Sequence, residues 1–350
     1  MAGTLSVHDP AAAVRWGVLG TANIARTRFL PSAKDAAAAR LFAVASRDDA
    51  KALATAHAFG VPRAHGSYEA LLADPEVDAV YVPLPNHLHL EWSVRALEAG
   101  KHVLCEKPLC LTAAEVGQLI AARERAGRHV EEAFSYRNHP QWERIAEVLA
   151  SGAIGAPHAV QCTLAKQFHD PADIRNDPAR GGGGLYDLGS YAISACSLVF
   201  PRTPRRVIAT LERDPRFGTD RLSTAVLDYG DAHASFTVAT QCGPSAWATH
   251  QQFSVLGSEG WLRCDFPFAH GRPAACRVMV GDASSHGSVA TTQWSFDPVN
   301  QYTLQIERFS RFVRGEAVAG WPIEDALRTL RIIEALVRSA SAGTWQVPGT

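Results

Sequence analysis

A carboxylate and an ammonium stand side by side in Cys105-Glu106-Lys107-Pro108, and the proline after them stiffens the local backbone. The bond before a proline is also the one kind for which a cis form is readily open. Alone, Glu106 and Lys107 would read as a surface ion pair. A second cluster lies farther along, where Asp173-Ile-Arg175 precedes the glycines 181–184 and then Asp187 and Tyr191. Spaced four apart, Asp187 and Tyr191 share one face of a helix. The glycines before them permit close backbone approach where that helix begins. An ammonium that holds an oxygen and a phenol that passes it a proton are parts from which an acid–base site can be made.

A third stretch is suited to phosphate. Pyrophosphate binding needs a tight turn, close backbone approach and free N–H groups at a helix start. Gly17-Val-Leu-Gly20-Thr-Ala22-Asn23-Ile24-Ala25 joins a strand to a helix, with Gly20, Ala22 and Ala25 at the three small positions of a dinucleotide fingerprint. Alanine replaces the second glycine, so the motif alone is weak, and a βα turn without a ligand is its plain alternative. About 20 residues on, an NAD site usually shows an acid for the ribose hydroxyl. This chain has Ser46-Arg47 there, a hydroxyl and a planar fork of donors that suit a 2'-phosphate. NADP(H) is therefore preferred, with NAD(H) possible. Asp48 and Asp49 follow, and either serves equally as a helix N-cap.

These residues need a scaffold. Strands are expected at Val14 to Leu19, Leu41 to Ser46, Ala79 to Val82, His102 to Cys105 and Val130 to Phe134. Between them come helical patterns from about Asn23, over Asp48 to Phe59, over Asn86 to Ala99, and after the capping box Thr112-Ala-Ala-Glu115. Such alternation calls for a doubly wound parallel sheet, an α/β domain placed at residues 13–132. Ligands of such sheets sit at the carboxyl ends of strands, which puts Glu106 and Lys107 in the crevice beside the cofactor. Pro83, Leu84, Asn86 and His89 follow another strand and are candidates for the nicotinamide side, although Asn86 could be only an N-cap.

Beyond residue 133 the texture changes. Helical patterns at Gln141 to Leu149 and Tyr186 to Leu198 give way to successive strand-like runs. Ala234, Phe236 and Val238 alternate with His233, Ser235 and Thr237, the period of a sheet with one covered face. Gly257-Ser-Glu-Gly260 joins two such runs as a hairpin. Residues 133–350 thus read as an α+β domain with a large, mainly antiparallel sheet, closed by two helices carrying Ile306, Phe309 and Val313 and spanning Glu324 to Ser339. The aromatic residues Trp247, Phe253 and Trp261 read as sheet core.

Composition narrows the function classes. The net charge of -1 over 350 residues offers no field to gather nucleic acid or anionic membrane. No apolar run approaches the roughly 20 residues that span a bilayer. The segment Met1 to Val14 lacks a basic and an apolar region and reads as a short tail, not a signal peptide, so a soluble cytoplasmic protein is expected. The cysteines at 105, 110, 162, 196, 242, 264 and 276 form no CxxC pair, which suggests reduced thiols and no metal site.

Taken together, the Gly20 loop, Pro85-Asn86-His87-Leu88-His89, Glu106-Lys107-Pro108, Glu132-Ala-Phe-Ser-Tyr136-Arg137-Asn-His139-Pro140, the segment Asp173 to Tyr191 and the Gly257-to-Gly260 hairpin resemble the Gfo/Idh/MocA oxidoreductases over nearly the whole chain. Inositol-type members carry a histidine four residues after the aspartate. Tyr191 stands there instead, which resembles the branch with glucose-fructose oxidoreductase, aldose dehydrogenases, dimeric dihydrodiol dehydrogenases and ketosugar reductases. The resemblance implies hydride transfer between nicotinamide and a sugar or polyol carbon, without a metal, and a homodimer or homotetramer formed through the C-terminal sheet. It makes Tyr191 the expected general acid/base, with Lys107 drawing its phenol down toward neutral and Asp187 positioning substrate or Lys107. Tyr136, Arg137 and Arg175 are candidate substrate contacts. A nucleotide-retaining aldose–aldose oxidoreductase or dihydrodiol dehydrogenase is the alternative enzyme, and a ligand sensor on the same fold is the alternative outside enzymes.

Overall fold

The computed structural model describes residues 13–242, 250–268, 277–282 and 290–349, so residues 1–12 of the expected tail, Trp247 and Cys276 lie outside the described residues. In the first half, β1 (Val14–Leu19), β2 (Ala39–Ala45), β3 (Arg63–His65), β4 (Ala79–Val82), β5 (His102–Cys105) and β6 (Val130–Glu132) form one parallel sheet in the order β3-β2-β1-β4-β5-β6. Both faces are covered, by α1 (Leu30–Ala33), α2 (Asp49–Phe59), α3 (Tyr68–Leu72), α4 (His89–Glu98) and α5 (Ala113–Ala126), which is why its strands are apolar runs. This is the expected doubly wound sheet. Strand β3 went unanticipated because three residues are too short to show a period.

The helix starts follow local chemistry. The Asp48 carboxylate accepts the Lys51 N–H at 3.1 Å, making Asp48 the N-cap of α2. Thr112 and Glu115 exchange reciprocal bonds of 3.1 and 3.3 Å, the capping box read from the sequence. The helix expected from about Asn23 opens instead with a π-helical turn, Ala25–Phe29, before α1. A single 3-10 turn, Asn86–Leu88, likewise precedes α4.

The second half builds α6 (Pro140–Ala150), β7 (Pro157–Ala165), α7 (Ser190–Val199), β8 (Arg206–Arg213), β9 (Asp220–Asp228), β10 (His233–Ala239), β11 (His250–Gly257), β12 (Gly260–Asp265), β13 (Arg277–Asp282) and β14 (Ala290–Ser295). Its strands order as β14-β13-β12-β11-β7-β10-β9-β8, antiparallel except for the β10–β7 pair. Ala234, Phe236 and Val238 are buried, as their alternation predicts.

Two last helices, α8 (Gln301–Val313) and α9 (Glu324–Ala342), return to the first sheet. Ile306 and Phe309 of α8 are fully buried with Trp16 and Phe29, and the Trp16 indole donates to Ser310 Oγ at 3.0 Å. Burying each such side chain contributes about 1.5–3 kcal/mol. Helix α9 serves both cores: Ala326 and Leu330 pack with the first sheet, Ile332, Ile333 and Leu336 with the second. Its two apolar faces fix how the sheets meet, and the cleft lies between them. Among the described residues no helix is long and apolar enough to cross a membrane.

Candidate active site

Parallel pairing brings the carboxyl ends of β1, β4 and β5 to one edge, where their loops face the second sheet across a cavity of about 680 Å³. Gly20 holds φ at +102°, and a Cβ there would stand 3.1 Å from Leu84 and 3.4 Å from the Tyr68 hydroxyl. Only glycine is free of strain in that turn. Ala22, Asn23 and Ile24 then line the cavity where the first helix begins. Small residues at a strand-to-helix turn leave room for a dinucleotide's phosphates, so the residues present fit that cofactor. Ser46 and Arg47 follow β2 on the same edge but do not line the cavity: Ser46 is buried and its hydroxyl accepts the Asp48 N–H at 3.2 Å, while Arg47 is exposed.

The second loop lines the cavity with Pro83, Leu84 and Asn86, and the Asn86 amide donates to the Gly181 carbonyl at 3.1 Å. Asn86 thus ties this loop to the glycine segment. His89 does not reach the cavity. It is fully buried, its ring nitrogens 2.8 and 2.7 Å from the carbonyl oxygens of Pro108 and Leu84. The expected cofactor contact is corrected to a brace between two loops.

The third loop carries Glu106 and Lys107, joined by a cis peptide to Pro108. The Tyr81 hydroxyl donates to Glu106 at 2.5 Å, and burial raises that carboxyl against the pull of Tyr81 and Lys107. The Lys107 ammonium lies 2.5 Å from Asp187 Oδ1, donates to the Asp187 carbonyl at 3.1 Å, and stands 4.9 Å from the centre of the Tyr191 ring. Asp187 sits in a π-helical turn, Leu185–Gly189, which runs into α7 and Tyr191. Its other oxygen accepts Arg175 Nε at 2.7 Å, and Arg175 also pairs with Asp173 at 3.2 Å. Burial pushes the Asp187 carboxyl up, but Arg175, Lys107 and Lys166 outweigh it and hold the group well below the usual range. The glycines earn their place here: a Cβ on Gly182 would lie 2.6–2.7 Å from the carbonyls of Arg175, Asp177 and Ile174.

Tyr191 lines the cavity against Phe134, Tyr136 and Phe268, only 9% exposed. Its phenol is not drawn toward neutral, contrary to the sequence-based expectation. Burial raises it well above 10, and Tyr302, Glu106 and Asp187 add to the rise. Burial outweighs the opposing pull of Arg175.

Tyr136 and Arg137 are placed away from the cavity, which corrects their reading as substrate contacts. Tyr136 is fully buried with its hydroxyl 2.6 Å from Ser194 Oγ, and Arg137 donates to that same oxygen at 2.7 Å and to Asp325 at 3.2 Å. They clamp α7 to α9. Arg175 does line the cavity. So do Arg28, Lys166, Phe168, Gln251, Phe266 and Tyr302, which no motif had marked. Phe266 holds φ at +56°, a left-handed backbone rare for an aromatic residue and a feature that clusters at functional sites.

Residues 14–134 match the oxidoreductase family with an NAD-binding Rossmann fold, and residues 142–263 match the Gfo/Idh/MocA C-terminal domain. An uncharacterized oxidoreductase of Rhizobium meliloti is 42% identical over 95% of this chain and 98% of its own. A D-xylose 1-dehydrogenase (NADP(+)) of Haloferax volcanii is 38% identical over 94% of this chain and 98% of its own. A 3-ketoreductase from Actinomadura kijaniata, solved with NADP and TDP-benzene, superposes with a TM-score of 0.82 at 31% identity, covering 93% of this chain and 98% of that one. The chain belongs to the Gfo/Idh/MocA oxidoreductase family.

Proposed function

We propose that this Gfo/Idh/MocA oxidoreductase is NADP(H)-dependent and interconverts a hydroxyl and a carbonyl on a sugar or sugar derivative, as an aldose dehydrogenase or a ketosugar reductase. The observation that carries this reading is the Lys107–Asp187–Tyr191 constellation at the carboxyl edge of the sheet, beside the Gly20 loop. The relatives support it, one named as an NADP(+)-dependent xylose dehydrogenase and one solved with NADP.

When bound, the nucleotide supplies or accepts hydride at its nicotinamide C4. Gly20, Ala22, Asn23 and Ile24 hold its phosphates, Ser46 and Arg47 its 2'-phosphate, and Pro83, Leu84, Asn86 and Glu106 border the nicotinamide side. The Lys107 ammonium orients the substrate oxygen, with Asp187 fixing that ammonium in place. Tyr191 then exchanges the proton at this oxygen. Its raised phenol keeps the proton at neutral pH, the state needed to protonate an oxygen as the carbonyl is reduced. Arg175 secures Asp187 and borders the substrate. Aldoses, ketosugars and dihydrodiols assayed in both directions with both nucleotides test the reading. Lys107→Ala and Tyr191→Phe should each lower turnover at least about 100-fold; near-normal turnover in both sinks these roles.

A further inference from the structure

The cleft wall carries four cationic side chains, Arg28, Lys107, Lys166 and Arg175, against the carboxylates Glu106, Asp173 and Asp187. Lys107 and Arg175 close on Asp187 and Asp173, and Glu106 is held by Tyr81. That leaves two cations. Among the described residues neither the Lys166 ammonium nor the Arg28 guanidinium has a hydrogen bond or an ion pair. Lys166 is not a loose surface arm. It follows β7, its N–H donates to the Ala239 carbonyl at 2.9 Å, and its own carbonyl accepts the Cys242 N–H at 3.3 Å. Arg28 lies where the cleft meets a smaller cavity of about 280 Å³, both of them lined by Thr27, Arg28 and Tyr302.

A charge in a protein wall is only partly compensated where it makes no direct ion pair and its attracting carboxylate is shared with other cations, as Asp187 is. A ligand anion relieves the cost that remains. The nucleotide phosphates are assigned to the Gly20 loop of the first sheet, whereas Lys166 projects from the second. We propose that the sugar bound in this cleft carries an anionic group, phosphoryl or carboxylate, and that Lys166 and Arg28 receive it. This rests on the sugar oxidoreductase reading and narrows its substrate class. Burial lowers Lys166 to about 8, with Lys107, Arg175 and Arg28 adding to the fall and Asp187 opposing it. An anion beside it restores the charged form.

The test titrates D-glucose, D-glucuronate and D-glucose 6-phosphate calorimetrically into the full chain saturated with NADP+. One of the two anionic sugars should bind at least about tenfold tighter than glucose, a gain of roughly 1.4 kcal/mol. Which one does so separates carboxylate from phosphoryl recognition. At pH 8 its binding should take up a proton, read as a heat that varies with the buffer's ionisation enthalpy. Lys166→Gln should abolish both the preference and the proton uptake while NADP+ still binds. Equal affinity for all three sugars, no binding of any, or a preference that survives Lys166→Gln overturns the inference. A variant that loses NADP+ affinity alone also overturns it, by giving the ammonium to the nucleotide. Turnover of neutral sugars with no anionic preference would leave the oxidoreductase reading standing.

Discussion

Asp187→Asn keeps the shape of the side chain and removes the charge that two cations share. In the folded chain Asp187 and Lys107 are 13% and 10% exposed, and the more open Arg175, at 32%, keeps Asp173 as a second partner. The variant therefore strands mainly the Lys107 ammonium. Removing one partner of a buried pair costs about 3–5 kcal/mol, and with Arg175 still partnered the low end, about 3 kcal/mol, is expected. With a urea dependence of about 3 kcal/mol/M, the unfolding midpoint should drop by about 1 M, followed by tryptophan fluorescence. Lys107→Ala should cost less, since Asp187 keeps Arg175. The sign with pH follows from a carboxyl depressed in the fold: its stabilisation is present above the unfolded value near 3.9 and is lost as pH falls through the folded one. The gap between wild type and variant should be flat from about pH 5 to 8 and narrow in acid. A midpoint shift below about 0.2 M, or a Lys107→Ala penalty as large as that of Asp187→Asn, would refute the account of the triad.

Arg47→Ala should weaken NADPH about tenfold or more, the loss of one charge-assisted bond, and leave NADH nearly untouched; equal losses by calorimetry would remove the 2'-phosphate from Arg47. Glu132 is buried, and that burial raises its carboxyl to about 7, against the Leu109 N–H and Arg137. A carboxyl raised in the fold keeps its proton where the unfolded chain, near 4.3, has lost it, so stability falls as pH rises from about 4.3 to 7 and then levels. Thermal unfolding of Glu132→Gln across that range should lack this fall, and an unchanged slope would exclude Glu132 as its source.

The first sheet was legible because its signals are local. Val14 to Leu19, Ala79 to Val82 and His102 to Cys105 are apolar runs that must be covered on both faces, and the Thr112–Glu115 box and the Asp48 cap act within one helical turn. Lys107, Asp187 and Tyr191 were legible as candidates through equally local signals: Lys107 stands just past β5 and before Pro108, and Asp187 and Tyr191 follow the glycines 181–184.

Burial across elements was not legible. Tyr136 and Arg137 sit in a motif that reads as site, yet Ser194 and Asp325 draw them inward; His89, likewise, is taken by the carbonyls of Leu84 and Pro108. Lys166, Arg28 and Tyr302 show no pattern in the chain and meet only because α8 and α9 bring the two sheets together. The phenol of Tyr191 shows the division most clearly. Its type and its place in the chain propose it as a proton carrier, but how firmly it holds its proton depends on burial and on Tyr302, Glu106 and Asp187 around it. Sequence by itself determined the alternation of most strands and helices and proposed the reacting groups, since periodicity and caps work over a few residues. Tertiary structure decided which polar groups face the cleft and how tightly they keep their protons, because desolvation and charge pairing are set by neighbours far away in the chain.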